Sequence, residues 1–251
     1  MSGWVWPALI AHRCGGALAP ENTLAGLAIA ARLGCRAVEF DVMLSRDGVP
    51  VLIHDETLTR TAGRRGQVAR FAADELLAMD VGEVFHPAFR GETIPGLDSA
   101  LQCCRRLGLA ANLEIKPAGG FETETGRVVG RRLAALAPDS RPALLLSSFA
   151  ATALEAAATE IDSLPRAFLA DYCSAAALAT ARRLGCVSLN LSRRGLQADH
   201  VAEVRDAGLR MLVYTVNAPD EAGRLAGWGV SGVFSDRPDL LLPASVAPGA
   251  P

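Results

Sequence analysis

No stretch of this 251-residue sequence stays apolar for the roughly 20 residues that a helix needs to cross a bilayer. The opening MSGWVWPALIAHR has neither a basic start nor a long apolar run, so a secretory signal is not expected. C-x-x-C pairs are absent, and the six cysteines (Cys14, Cys35, Cys103, Cys104, Cys173 and Cys186) are scattered. That excludes zinc-ribbon spacing, and a disulfide framework is not the pattern of a chain this long. Reduced core cysteines in a cytoplasmic protein are the expectation. The formal net charge is only −2, so no basic face is announced and no nucleic-acid partner is expected. Internal repeats, low-complexity tracts and interdomain linkers are not apparent. What the chain does have is 50% hydrophobic and 21% charged residues, the balance of a globular protein with a large core.

Short β-type runs alternate with longer helical patterns almost from end to end. The runs read as strands are Leu9–Arg13, Ala37–Met43, Ala110–Lys116, Ala143–Ser148, Arg166–Ala170, Val187–Leu191, Arg210–Val216 and Gly232–Ser235. Helical stretches include Asn22–Leu33, Ser99–Leu107, Glu122–Leu136, Ala175–Leu184 and Ala198–Ala207. Gly34, Gly108, Gly185 and Gly208 stand where such helices end. This alternation predicts a parallel sheet, and eight units close naturally into a (β/α)8 TIM barrel. An open, doubly wound sheet is the structural alternative. One interval is too long for a single helix. Val49–Ile53 reads as an extra strand, turned back on its predecessor at Ser45-Arg46-Asp47-Gly48, and a turn-rich segment follows with a short helix near Ala72–Met79. Residues about 46–97 are therefore expected to form an insertion in the second βα unit of a single domain spanning 1–251. The tail Ala244–Pro251 is expected to fray.

Strand alternation also brings the polar residues together. Residues two apart on a strand face the same side. Glu39 and Asp41 therefore point together, while Val38, Phe40 and Val42 face the helices. Two carboxylates held close repel, and each is costly to desolvate unpaired; a cation between them relieves both penalties. On the next strand Asn112, Glu114 and Lys116 share one face, so Glu114 supplies a third carboxylate. All-oxygen ligation favours a hard ion, Mg²⁺ or Ca²⁺. Exposed carboxylates on an edge strand, or a structural Glu114–Lys116 ion pair, are the plainer readings. His12 and His54 end the first strand and the hairpin strand. A lone histidine at a strand end is commonly structural. Two beside a carboxylate cluster and Arg13 fit proton transfer near neutral pH. His86 and His200 read as ordinary surface residues.

His12-Arg13 followed by Pro20-Glu21-Asn22-Thr23, then Glu39-Phe40-Asp41, His54-Asp55 and Glu114-Ile115-Lys116-Pro117, resembles the glycerophosphodiester phosphodiesterases. Ser147-Ser148-Phe149, Tyr214-Thr215-Val216-Asn217 and Ser235-Asp236 extend the likeness over residues about 8–240. Within the family the chain looks most like the cytosolic bacterial enzyme associated with glycerol-phosphate uptake. The resemblance implies that His12 and His54 act as general base and general acid, in an order that the residues alone leave open. It implies that Glu39, Asp41 and Glu114 bind one divalent cation, that Arg13 and Lys116 hold the phosphate, and that Phe149 and Tyr214 line the pocket. Contact of His54 with the cation is a further option. The implied reaction converts a small glycerophosphodiester into sn-glycerol 3-phosphate and an alcohol such as choline or ethanolamine, through attack by the glycerol 2-hydroxyl. One position departs from the family: Cys14 stands where glycine usually follows the His-Arg pair, and Gly15-Gly16 would take over its flexibility. Two other functions share the fold. A barrel phosphodiesterase acting on lysophospholipids would favour an apolar rim or a secreted, disulfide-bearing chain, and a non-catalytic polyol-phosphate-binding barrel would not need two histidines.

Overall fold

The computed structural model describes residues 6–242; the expected frayed tail, Ala244–Pro251, lies outside them. Nine strands are present among the described residues: β1 Leu9–Ala11, β2 Ala37–Leu44, β3 Pro50–Leu52, β4 Ala110–Ile115, β5 Leu144–Ser148, β6 Arg166–Ala170, β7 Ser188–Ser192, β8 Arg210–Tyr214 and β9 Gly232–Ser235. Every strand except β3 joins its neighbours in parallel, and the β1–β2 pairing closes the ring. The result is an eight-stranded parallel barrel with one extra strand bonded outside. The closed barrel, not the open sheet, is therefore the architecture.

The extra strand has a local cause. β1 is three residues long and pairs only with Ala37 and Val38 of the eight-residue β2. The upper part of β2 would present unpaired backbone groups, and β3 covers them antiparallel at Val42–Leu44. From β3 the chain runs through α2 Thr59–Ala62, α3 Ala73–Leu77 and α4 Gly82–Phe85 before α5 Leu97–Leu107 returns it to the barrel. This segment encloses its own small core, which includes Met43, Ile53, Leu58, Leu76 and Ile94.

The outer helices are α1 Leu24–Leu33, α5, α6 Glu122–Ala134, α7 Ala151–Glu160, α8 Ala175–Arg183, α9 Ala198–Asp206 and α10 Pro219–Trp228, with a final turn α11 at Pro238–Leu241. Val38, Phe40 and Val42 lie in the core between strands and helices. Ile10, Ala37, Leu145, Ala167, Leu212 and Phe234 plug the barrel interior. Helix α1 starts later than the pattern predicts. Asn22 takes a left-handed φ of 56°, and Thr23 caps the helix by accepting from the Gly26 amide at 3.1 Å. All six cysteines are free; Cys173 is half-buried and the others are buried. No helix among the described residues is long and apolar enough to cross a membrane.

Helices α6 and α7 approach closely at Gly126, where an added Cβ would lie 2.1 Å from the carbonyl oxygen of Ala153. Gly126→Ala should therefore force the pair apart and cost about 1–3 kcal/mol in urea unfolding. Gly223→Ala on α10, where the added atom meets nothing within 4 Å, should be neutral or stabilising by up to about 1 kcal/mol. Equal midpoints for the two variants would contradict this packing.

Candidate active site

The carboxyl ends of the strands carry the site. Strand β2 aims Glu39 and Asp41 into the barrel mouth, and β4 adds Glu114 beside them. All three are buried, at 3%, 2% and 9% exposure. One oxygen from each lies within 4.8 Å of the others. Lys116, just beyond β4, stands 3.4 Å from Asp41 and 3.6 Å from Glu114. Arg13 Nε lies 3.9 Å from Asp41. The Glu114–Lys116 pair of the plainer reading is thus present, but as part of a larger cluster that includes Asp41 and Arg13.

These neighbours divide the carboxylates unequally. Burial opposes ionisation of Asp41, but Lys116, His54 and Arg13, with a hydrogen bond from Asn22 Nδ2 at 2.9 Å, overcome it and hold Asp41 below its usual range. Asn22 also accepts from the Asp41 amide at 3.0 Å. Glu39 receives the Arg13 amide at 2.8 Å. Burial and the charges of Asp41 and Glu114 nonetheless push Glu39 well above the usual carboxylate range. Glu114 rises to about 8, through burial first and the Asp41 charge second. Without a cation, one carboxylate takes the charge and two favour the proton. Oε1 of Glu39 is buried without a hydrogen-bond partner, as is Oδ1 of Asn112, which lines the same chamber. A cluster of hard oxygens with unspent lone pairs fits a divalent cation.

His12 and His54 flank this cluster in the same manner. His12 Nδ1 lies 2.7 Å from Asp236 Oδ1, and His54 Nδ1 lies 2.7 Å from Asp55 Oδ1. A carboxylate on Nδ1 fixes the tautomer and leaves Nε2 for chemistry. Nε2 of His12 stands 3.9 Å from Glu39. Burial pushes His54 below the usual imidazole value, assisted by Lys116 and Arg13 and opposed by Asp41 and Asp55. Asp236 is itself positioned by Asn217, whose Oδ1 accepts from the Asp236 amide at 2.8 Å. Phe149 and Tyr214 meet edge to face at 5.9 Å, and the Tyr214 hydroxyl donates to the Ala170 carbonyl at 2.9 Å. His86 is exposed and His200 half-buried; their Nδ1 atoms accept from the Ala88 and Gln197 amides.

Every site residue singled out in the sequence therefore lines one chamber of about 270 Å³. His12, Arg13 and Thr215 also border an outer cavity of about 660 Å³, walled by Glu21, Arg60, Val84 and Phe85. The sequence reading left Asp55, Asp236, Asn22 and Glu21 without roles, although each stands in a quoted motif, and Arg60 carried no signal. The loop after β1 also differs from expectation. Cys14 itself takes the left-handed conformation (φ 75°), as does Arg13 (φ 48°), while Gly15 stays at −112°. Gly16 is left-handed too, and a Cβ there would lie 2.3 Å from the Asp236 carbonyl oxygen. Cys14 is fully buried, and burial raises its thiol well above the usual value, which disfavours the thiolate that a nucleophile needs.

A parallel barrel with an acidic, histidine-flanked chamber at its carboxyl end has the layout of a barrel enzyme. Residues 12–240 match the glycerophosphoryl diester phosphodiesterase family model. The chain is 29% identical to a glycerophosphodiester phosphodiesterase of Caldanaerobacter subterraneus, over 93% of this chain and 96% of that one. It is 26% identical to one from Bacillus subtilis, with coverages of 92% and 84%. Among solved structures, an Oleispira antarctica phosphodiesterase in complex with the product sn-glycerol-3-phosphate superposes with a TM-score of 0.89. It has 35% identity to this chain, and the match covers 94% of this chain and 95% of that one. The chain belongs to the glycerophosphoryl diester phosphodiesterase family and is a phosphoric diester hydrolase.

The carboxylates give the site a pH signature. Glu114 holds its proton to about pH 8 in the cation-free fold but releases it near ~4.3 when unfolded. Between those values the native state binds more protons, so stability falls as pH rises. The thermal midpoint of chelated protein should fall between about pH 5 and about pH 8 more steeply than that of Glu114→Gln. A saturating divalent cation should flatten the difference. Parallel profiles for the two chelated proteins would disprove the protonated state of Glu114.

Proposed function

We propose that this enzyme hydrolyses small glycerophosphodiesters, such as glycerophosphocholine or glycerophosphoethanolamine, to sn-glycerol 3-phosphate and an alcohol. In this reading His12 and His54 form the acid–base pair, and Glu39, Asp41 and Glu114 hold one divalent cation. The observation that carries the proposal is the convergence of two histidines, each tied through Nδ1 to a carboxylate, on one buried acidic triad. The product held by the Oleispira antarctica relative supports the choice of substrate. The all-oxygen donor set supports Mg²⁺ or Ca²⁺. We take the described residues as one catalytic unit, with about 46–97 as an insertion, and assign the enzyme to the cytoplasm. The free cysteines support that location.

The chain's own residues account for most of the steps. Arg13 and Lys116 face the phosphate and oppose the charge that grows on its non-bridging oxygens. Phe149 and Tyr214 wall the chamber and orient the glycerol portion. His12 takes the proton of the glycerol 2-hydroxyl as its oxygen attacks phosphorus. His54 delivers a proton to the departing alkoxide, and a cyclic phosphate remains. Reversing the two roles then lets a water molecule open that cyclic ester, giving glycerol 3-phosphate and restoring both histidines. A bound divalent cation supplies Lewis acidity that lowers the pKa of a nearby hydroxyl and neutralises phosphate charge.

Chelated protein should be inactive on glycerophosphocholine, and adding back Mg²⁺, Ca²⁺ or Mn²⁺ singly should restore release of glycerol 3-phosphate. His12→Ala and His54→Ala should each lower kcat about 10²–10⁴-fold, and Glu39→Gln should weaken activation by the cation. Turnover that survives chelation, or binding of glycerophosphocholine without any product, would overturn the proposal.

A further inference from the structure

Arg60 lies on α2, in the insertion, outside every motif that marks the site. Its guanidinium is nevertheless fully committed to two residues of the site. Nε donates to Asp55 Oδ2 at 2.7 Å and Nη2 to Asp55 Oδ1 at 2.9 Å. On its other edge, Nη1 donates to Glu21 Oε2 at 2.6 Å and Nη2 to Glu21 Oε1 at 2.8 Å. These are two bidentate forks on one plane, a geometry available to arginine and not to lysine.

Each carboxylate has a second partner. Asp55 Oδ1 is also the atom that holds His54 Nδ1. Both oxygens of Glu21 also accept from Arg13 Nη1 at 3.2 Å. A continuous chain therefore runs Arg13–Glu21–Arg60–Asp55–His54. It links the residue that meets phosphate, on the loop after β1, to a histidine beyond β3. Arg60 lines the outer cavity and is not among the residues lining the inner chamber.

Stability alone is a weak reason for such a clamp. The Arg60 side chain is 48% exposed, and water screens ion pairs made by a side chain this open. What Arg60 does is fix two carboxylates that would otherwise act differently. Without it, Glu21 would turn wholly to Arg13 and draw that guanidinium's charge away from the phosphate. Asp55 would lose its anchor and swing, and the imidazole it orients would lose its fixed direction.

We propose that Arg60 is a positioning residue, a strut supplied by the insertion that sets the orientation of His54 through Asp55 and the reach of Arg13 through Glu21. This assignment rests on the reading of His54 as the general acid and Arg13 as a phosphate ligand. It gives the insertion a part in the chemistry without placing any of its helices against the substrate.

The test compares wild type, Arg60→Gln, Arg60→Lys and His54→Ala on two substrates. One is glycerophosphocholine, whose alkoxide needs a proton to leave. The other is the 4-nitrophenyl diester of glycerol 3-phosphate, whose phenolate does not. In single turnovers, Arg60→Gln should slow release of choline from glycerophosphocholine about 10–100-fold, the scale of a misplaced catalytic group, and leave the first release of 4-nitrophenolate nearly unchanged; opening of the cyclic ester needs His54 with either substrate. KM should rise severalfold for both, because Arg13 serves both. Arg60→Lys should rescue poorly. Proton NMR supplies a readout independent of turnover. The downfield Nδ1–H signal lost in His54→Ala should also vanish in Arg60→Gln, while the His12 signal stays. An unchanged His54 signal, or equal losses in the single-turnover release of choline and of 4-nitrophenolate, would overturn the assignment. If His54→Ala itself turned over glycerophosphocholine at the wild-type rate, the acid–base reading would fail instead, and the His54 signal would still decide whether Arg60 holds the imidazole.

Discussion

Glu39, Asp41 and Glu114 are pressed together by strands that have no freedom to separate them. β2 and β4 are paired in the barrel wall at Glu39↔Asn112 and Asp41↔Glu114, and a closed sheet cannot open to relieve repulsion between its side chains. Much of the surrounding structure answers that constraint. Lys116 and Arg13 bring positive charge to Asp41, Asn22 donates to it, and two of the three carboxyls favour their protons. The same crowding of carboxylates is what would let the cluster hold a divalent cation. Removing one carboxylate would ease the fold and impair the site, an opposition expected where function holds like charges together.

The two histidines share a design drawn from different parts of the chain. Each gives Nδ1 to a carboxylate at 2.7 Å. For His54 the partner is the next residue, so its orientation depends on what holds Asp55. For His12 the partner arrives from β9, and Asn217 steadies it in turn. The chamber thus has a local dyad and a long-range dyad facing one triad. In the proposed mechanism acid and base exchange roles within one cycle, which gives similar support on both sides a chemical reason.

How much of this was legible depended on whether a pattern was local. Alternation along β2 announced Glu39 and Asp41 against Val38, Phe40 and Val42, and the barrel interior and the helix-facing core divide those residues as expected. The hairpin of β2 and β3 was visible as a second apolar run behind a turn. The start of α1 was obscured by Asn22, whose left-handed backbone serves Asp41 rather than the helix. Cys14 takes a glycine-like conformation in place, which no propensity announces. Arg60 and Glu21 are separated by 39 positions, and His12 and Asp236 by 224. Only the closure of the ring makes them neighbours, so no spacing rule could connect them.

The pairing of β1 with β9 has a further consequence for when the enzyme becomes competent. His12 lies near the beginning of the chain, and the carboxylate that orients it lies near the end. A chain emerging from the ribosome carries Glu39, Asp41, His54 and Glu114 before Asp236 has been made. Until the last strand docks, one imidazole has no fixed tautomer and the first loop lacks the backbone oxygen that receives the Ala17 amide. In the proposed mechanism catalysis is thereby tied to completion of the ring, and a chain that ends before β9 lacks the partner of His12.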